Sequence, residues 1–288
     1  VCSSDLLSSV WGFDLERSEI LCRAGEAIGL VVERKGHYRL TRKGAVLIGL
    51  PGVTALIEHH KILYQDLLNP VGFFKGVEET QLSKFWPYVF GGGMDLKSSE
   101  VEKYSNLMSE SQHLVAADTL AAVSIPSVCR FLDVGGGKGT FVSELKKIYP
   151  KVDAAVFDLP GSHSETSGHR CIIGSFKEDE LPAGYDIISL VRILYDHRDE
   201  TIRDLLGKTY SALDKGGRLI VSEPMLGADR PTLWGDVYFA MYTLAMSTGK
   251  TRSPDQVSGF IKDAGFSNVT IHKSARDRKS TRLNSSHQ

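Results

Sequence analysis

The sequence predicts an α/β protein: a mostly parallel sheet with helices on both faces, preceded by a smaller helical, winged-helix-like region. Beyond about residue 126, short apolar β-branched runs alternate with segments of helical period, the pattern of a parallel sheet built from crossover units. A glycine-rich turn ends the first of these runs and opens a helix, within Asp133–Phe141. Ahead of residue 126, helical periodicity dominates and one short hairpin pattern interrupts it.

Taken in order, Ile20, Leu21, Ala24, Ala27 and Ile28 recur at helical spacing between Phe13 and about Leu30. Leu30–Glu33 and Tyr38–Leu40 read as two short strands around a turn containing Gly36. A helix followed by a hairpin suggests a winged-helix unit. Packing or dimerisation is its preferred role over DNA binding, because 34 Lys and Arg stand against 35 Asp and Glu, a net charge of −1. Further helices are predicted over Val53–Leu68 and Ser99–Val123. Between them the aromatic run Phe85-Trp86-Pro87-Tyr88-Val89-Phe90 and Gly91-Gly92-Gly93 suit a core cluster or a hinged substrate lid. Strands are predicted at Arg130–Val134, Ala154–Asp158, Cys171–Ile173, Asp186–Leu190, Arg218–Ser222 and Val269–His272. Helices fall between them at Thr140–Ile148, Asp199–Leu213, Trp234–Met246 and Pro254–Ala264. The last has an explicit start signal, with Ser253 as N-cap, Pro254 at the first helical position and Gln256 placed to close a capping box.

Composition bounds the rest. Apolar residues at 42% and charged residues at 24% suffice for a buried core. The longest uncharged stretches, Ala45–Ile57 and Val237–Gly249, fall short of the ~20 residues of a spanning helix. Four scattered cysteines fit neither a disulfide framework nor a zinc site, which points to a reducing, cytoplasmic setting. Val1–Leu6 and Asp277–Gln288 resemble translated sequencing adapter and are expected to be non-native, non-folding tails. The domains are then placed at 7–110 and 111–276.

The chemistry concentrates after the first strand of the second domain. Asp133 precedes glycines at 135, 137 and 139, whereas a dinucleotide fingerprint needs glycine at 140, which is Thr140. Lys138 is not followed by Ser or Thr, so a phosphate-binding P-loop fails too. Asp-x-Gly-x-Gly-x-Gly is the pattern expected for S-adenosyl-L-methionine, which presents an aminoacyl arm, a sulfonium and an adenosine to a tightly turned backbone. Asp158, about 20 residues on at a strand end, is placed to accept ribose hydroxyls. Ser175 and Phe176, after the third strand, are placed at the adenine.

These residues, with Gly217–Pro224 and Asp263–Phe266, resemble the class I S-adenosylmethionine-dependent O-methyltransferases that carry an N-terminal dimerisation domain. More narrowly, Ile57–His60, Leu190–His197, Ser222–Met225 and Asp236–Met246 are similar to the bacterial hydroxyneurosporene (demethylspheroidene) type of carotenoid synthesis. The resemblance implies a Rossmann-like cofactor domain closed by a seventh, antiparallel strand. Because the closing tail begins where that strand should, the strand is expected to be missing or replaced by disordered tail. The resemblance also implies a homodimer, no nucleic-acid partner, and a small apolar hydroxylated acceptor, reached by peripheral contact with a membrane surface. A small phenol or polyketide is the alternative acceptor; a winged-helix DNA-binding regulator and an NAD-dependent dehydrogenase are the rivals from other classes.

Methyl transfer needs an oxygen held in line with the methyl, and a proton acceptor for an alcohol. In the resembling family that acceptor is a His before Asp-Trp, oriented by an acid on the next strand. Here Tyr195 stands at the base position before Asp196, and His197 follows. Tyr195 as relay, His197 as base, and positioning alone are the open readings. Glu223 matches the orienting acid, Thr251 stands where a second acid is usual, and Arg192 would brace the cofactor pocket or pair with a surface carboxylate. Trp234, Tyr238, Phe239, Met241, Tyr242 and Met246 form a stripe suited to core or to a channel for a polyene alcohol.

Overall fold

The computed structural model describes residues 2–49, 51–85, 98–160, 169–273 and 281–286. The chain divides into two units, Val1–His59 and His60–Gln288.

The first unit comprises α1 (Ser4–Trp11), α2 (Leu15–Ala27), β1 (Val31–Arg34), β2 (His37–Leu40), α3 (Arg42–Gly49) and the start of α4 (Pro51–Asp66). The Asp14 carboxylate caps α2 by accepting from Arg17 N–H at 2.8 Å. β1 and β2 pair antiparallel from Val31↔Leu40 to Arg34↔His37 around Lys35 and Gly36, both with positive φ, the twist that two-residue hairpins require. Ile20 and Leu21 on the apolar stripe of α2, and Ile28 at its C-cap, remain exposed, while Ser18 and Cys22 are the residues the helix buries. The opening residues do not form a loose tail: Cys2 bridges the backbone of Tyr38, and Ser4–Leu6 begin α1. Backbone pairing of this kind asks little of side-chain hydrophobicity, so a segment expected to be a tail on its resemblance to adapter can still pair.

The second unit continues through α5 (Pro70–Lys75), α6 (Gln81–Phe85) and α7 (Ser98–Ala122) into the alternating half. That half runs β3 (Arg130–Val134), α8 (Thr140–Ile148), β4 (Asp153–Asp158), β5 (Arg170–Ile173), β6 (Tyr185–Val191), α9 (Asp199–Ala212), β7 (Leu213–Ser222), α10 (Ala240–Met246), α11 (Pro254–Asp263), β8 (Asn268–Lys273) and β9 (Thr281–Ser286). The aromatic run after Phe85 and its three glycines lie outside the described residues.

The sheet order is β5-β4-β3-β6-β7-β9-β8. The strands from β5 to β7 are parallel, and β9 runs antiparallel to both neighbours. The expected loss of the seventh strand is therefore corrected: Thr281–Ser286 occupies it, with Arg218↔Ser286 and Ser222↔Arg282 in register. An unpaired strand edge is a template that many sequences can satisfy through backbone hydrogen bonds.

Period-2 alternation divides the strands between two cores. Leu132, Ala155, Ile188, Leu190 and Leu219 pack against Leu205 and Leu206 of α9 and Val257 and Ile261 of α11. Phe131, Val156, Ile187 and Ile220 face the other way, onto Phe141, Val142 and Leu145 of α8 and Ala116 and Leu120 of α7. The Ser253–Gln256 capping box forms as the sequence predicts. The predicted Trp234–Met246 helix instead opens with a π-helical stretch, Leu233–Phe239, before α10. No described helix is long and apolar enough to cross a membrane.

Phe131 is fully buried and stacks on Phe141 at 6.1 Å between ring centroids. Phe131→Ala is expected to lower the unfolding free energy by about 3–5 kcal/mol, measured by urea denaturation followed by far-UV circular dichroism.

Candidate active site

The sheet reverses its winding between β3 and β6, and the crevice at their carboxyl ends gathers the predicted residues. Gly135, Gly137 and Gly139 all have positive φ. Gly135 N–H donates to Phe157 carbonyl at 2.8 Å, tying the turn to β4. A Cβ at Gly136 would lie 2.4 Å from Asp133 Oδ2, so the turn folds directly over that carboxyl. Asp133 sits opposite Ser189 in the β3–β6 register, and Ser189 Oγ donates to Asp133 Oδ1 at 2.6 Å. Asp133 Oδ2 is buried and has no hydrogen-bond partner. Burial, with a smaller push from Asp158, raises the Asp133 pKa to about 7 against the pull of Ser189.

Asp158 closes β4. Its Oδ2 accepts from Gly137 N–H at 2.6 Å and its Oδ1 from Leu159 N–H at 2.7 Å. Each carboxylate oxygen has a second acceptor position, so these bonds are compatible with ribose hydroxyls. Ser175 N–H is held by Asp179 at 2.8 Å, and the Phe176 ring meets His197 edge-on at 5.3 Å. Thr140, the residue that broke the dinucleotide pattern, exchanges a 2.8 Å hydrogen bond with Ser109, linking the first residue of α8 to α7.

Glu223 follows β7 and serves the backbone. Its Oε1 accepts from Ile193 and Leu194 N–H at 2.7 and 2.8 Å, and its Oε2 from Tyr195 N–H at 3.4 Å. It thus holds the short 3₁₀ turn Leu194–Asp196. Burial raises its pKa to about 7 although those three N–H groups and Arg192 favour the charged form. Asp196 is pushed well above the carboxylate range by burial and then by Glu223, and its Oδ1 has no hydrogen-bond partner. Arg192 has a left-handed backbone, φ 61°, and its guanidinium reaches α7 at Ser111 Oγ (2.8 Å) and Met108 Sδ (3.1 Å).

Tyr195 is buried, with its ring edge-on to Phe239 at 5.9 Å. His197 is also buried; burial, then Lys177 and Arg252, lower its pKa to about 4, so the ring is neutral at pH 7. Thr251 Oγ1 meets Thr243 Oγ1 at 3.2 Å.

A model of the O-methyltransferase domain matches residues 64–267. The chain belongs to this family. It is 43% identical over 269 residues to the demethylspheroidene O-methyltransferase of Rhodobacter capsulatus, covering 92% of this chain and 68% of that protein. It is 41% identical to the protein of the same name from Cereibacter sphaeroides, covering 94% and 74%. Among solved structures, the S-adenosylmethionine-dependent methyltransferase SibL shares the fold with a TM-score of 0.80 at 22% identity, covering 99% of this chain and 89% of that one.

In this O-methyltransferase, sequence reasoning overlooked Arg252. Its buried guanidinium donates to Asp199 Oδ1 at 2.6 and 2.9 Å, to Leu194 carbonyl at 3.1 Å and to His197 carbonyl at 2.8 Å. It fixes from one side the turn that Glu223 fixes from the other. Only its place one residue before an N-cap could have hinted at this.

Two outcomes follow from this geometry. Arg252→Ala is expected to cost about 3 kcal/mol, with Arg252→Lys recovering part, because a point charge cannot span the same acceptors; urea midpoints check this. Glu223 has a folded-state pKa raised above its unfolded value. The folded state holds the proton longer, and stability is lost as pH rises from about 4 through about 7. Glu223→Gln, which keeps an acceptor for Ile193 and Leu194, should remove this component; urea midpoints identical in pH slope to the wild type would contradict it.

Proposed function

We propose that this chain transfers a methyl group from S-adenosyl-L-methionine to a hydroxyl of an apolar acceptor, of the hydroxylated carotenoid class. The observation that carries the acceptor class is the 43 and 41% identity to two demethylspheroidene O-methyltransferases over 92 and 94% of the chain. The donor reading is supported by the glycine turn. An unpartnered, buried carboxylate oxygen beneath a backbone cradle that a Cβ would fill suits a cationic aminoacyl group. Asp133 and the turn at Gly135, Gly137 and Gly139 would hold that group. Asp158 would take the ribose, and Ser175 and Phe176 the adenine, with the neutral His197 ring bracing Phe176. When bound, the donor supplies a methyl on a sulfonium, already a good leaving group.

The protein's work is then orientation and exclusion of water. Glu223 and Arg252 fix Leu194–His197, and Arg192 ties the same loop to α7. Trp234, Tyr238, Phe239 and Tyr242 form a connected aromatic wall, with Tyr238 within 4.9–5.9 Å of the other three rings, apt for a long unsaturated chain. Leu233, Trp234 and Val237 remain exposed on the π-helical stretch, which suits peripheral contact with a bilayer surface where such an acceptor resides. The region 7–110 serves dimerisation in this reading, supported by the exposed stripe of Ile20, Leu21 and Ile28 on α2 and its C-cap.

Incubation with radiolabelled S-adenosyl-L-methionine and a panel of hydroxylated carotenoids and phenols should place label in the carotenoids; label confined to phenols would replace the acceptor class. Gly136→Ala is expected to weaken binding of S-adenosylhomocysteine at least about tenfold in calorimetry, since its Cβ would meet Asp133 Oδ2. Affinity for the cationic donor should rise as pH increases through about 7, where Asp133 loses its proton, and Asp133→Asn should flatten that rise.

A further inference from the structure

The family's base position holds Tyr195, yet an imidazole reaches the aromatic wall from a distant part of the chain. His60, on α4, places Nε2 2.5 Å from the Tyr238 hydroxyl, 178 residues away, with the rings edge-on at 4.9 Å. Both residues are half-buried. Tyr238 lies on the π-helical stretch, a local widening that often marks functional sites. It is followed by Phe239, whose ring meets Tyr195. Arg192 acts electrostatically on the Tyr238 phenol. The next residue, Ile193, packs where a Cβ on Gly135 would fall, at 2.3 Å. This chain of neighbours sets the His60–Tyr238 pair at the same end of the sheet as the donor turn.

Resting on the methyltransferase reading above, we propose that Tyr238 and His60 form the proton relay for the acceptor hydroxyl. Tyr238 Oη accepts the acceptor's proton while its own passes to His60 Nε2. The acceptor oxygen forms its bond to the methyl carbon as the carbon–sulfur bond breaks, leaving a neutral thioether. The positive charge of the sulfonium is thereby replaced by that of an imidazolium, which releases its proton to water. The ground-state protonation fits this direction. Burial lowers the His60 pKa, so the ring is neutral and able to accept. Burial and then Tyr64 raise that of Tyr238 while Arg192 opposes, so the phenol keeps its proton. Among the described residues, Tyr64, whose ring lies 6.2 Å from His60, and Arg192 also face the pair.

His60→Gln preserves an acceptor for the tyrosine hydroxyl but cannot take up a proton near neutral pH. It is expected to keep the wild-type urea midpoint and S-adenosylhomocysteine affinity, to lower kcat about a hundredfold with KM nearly unchanged, and to lose the acidic limb of the kcat–pH profile. Tyr238→Phe should lose a similar factor, and the double variant should be no slower than either single one. Without turnover, NMR titration of the His60 ring should give a midpoint below 6.5 that Tyr238→Phe shifts. Wild-type kcat and an intact acidic limb in His60→Gln, or a His60 titration that Tyr238→Phe leaves unmoved, would overturn the relay. Absence of label transfer to every acceptor by the wild type would instead overturn the methyltransferase reading, a distinct result.

Discussion

Carboxyl groups withdrawn from water at the ends of parallel strands dominate this molecule. Asp133, Asp196 and Glu223 are each buried near the point where the sheet reverses, and each is pushed toward its neutral form by that burial. Their surroundings differ. Glu223 is satisfied by three backbone N–H groups and so fixes a turn. Asp133 and Asp196 each retain an oxygen without a protein partner, which is costly unless something else meets it. The glycine turn exists in its observed form because a side chain at Gly136 would strike Asp133. The glycine turn is therefore shaped by one acid, and the adjoining loop by another.

Much of the fold was legible because its signals are local. Alternation of short apolar runs with helical periods specified β3 to β7 and the helices between them, and the Ser253–Gln256 box marked the start of α11 before any coordinates were needed. The glycine spacing and the acids at 133 and 158 also announced themselves, since strand ends and turns constrain residue type strongly. What stayed hidden depends on long-range pairing or on period. The stripe at residues 234–246 reads as an ordinary helix, because apolar spacing hardly separates a π-helical start from an α-helix. Arg252 gathers carbonyls from residues more than fifty positions away, and His60 meets a partner 178 positions on. No local pattern encodes such meetings. β9 was misjudged because its pairing is made by backbone groups, to which composition is nearly blind.

The apolar surface divides in a similar way. Packing against the sheet explains the buried residues of α8, α9 and α11, whereas the stripe on α2 is exposed. Helical period reports that a face is greasy; it does not report what lies against it. That distinction separates the interior of the second unit, fixed by its own sequence, from surfaces whose meaning depends on another molecule.

Arg192 has a further consequence. A non-glycine residue in the left-handed region is strained by roughly 1 kcal/mol or more, and glycine would relax it. Yet the kink aims the guanidinium at Ser111 and Met108 while delivering Ile193 against Gly135. A relaxed backbone there would remove one of the ties between α7 and the glycine turn, leaving the Ser109–Thr140 hydrogen bond, so this position trades local comfort for mechanical connection. A movement of α7 at residues 108–112 would be felt at the glycine turn, through this twisted joint.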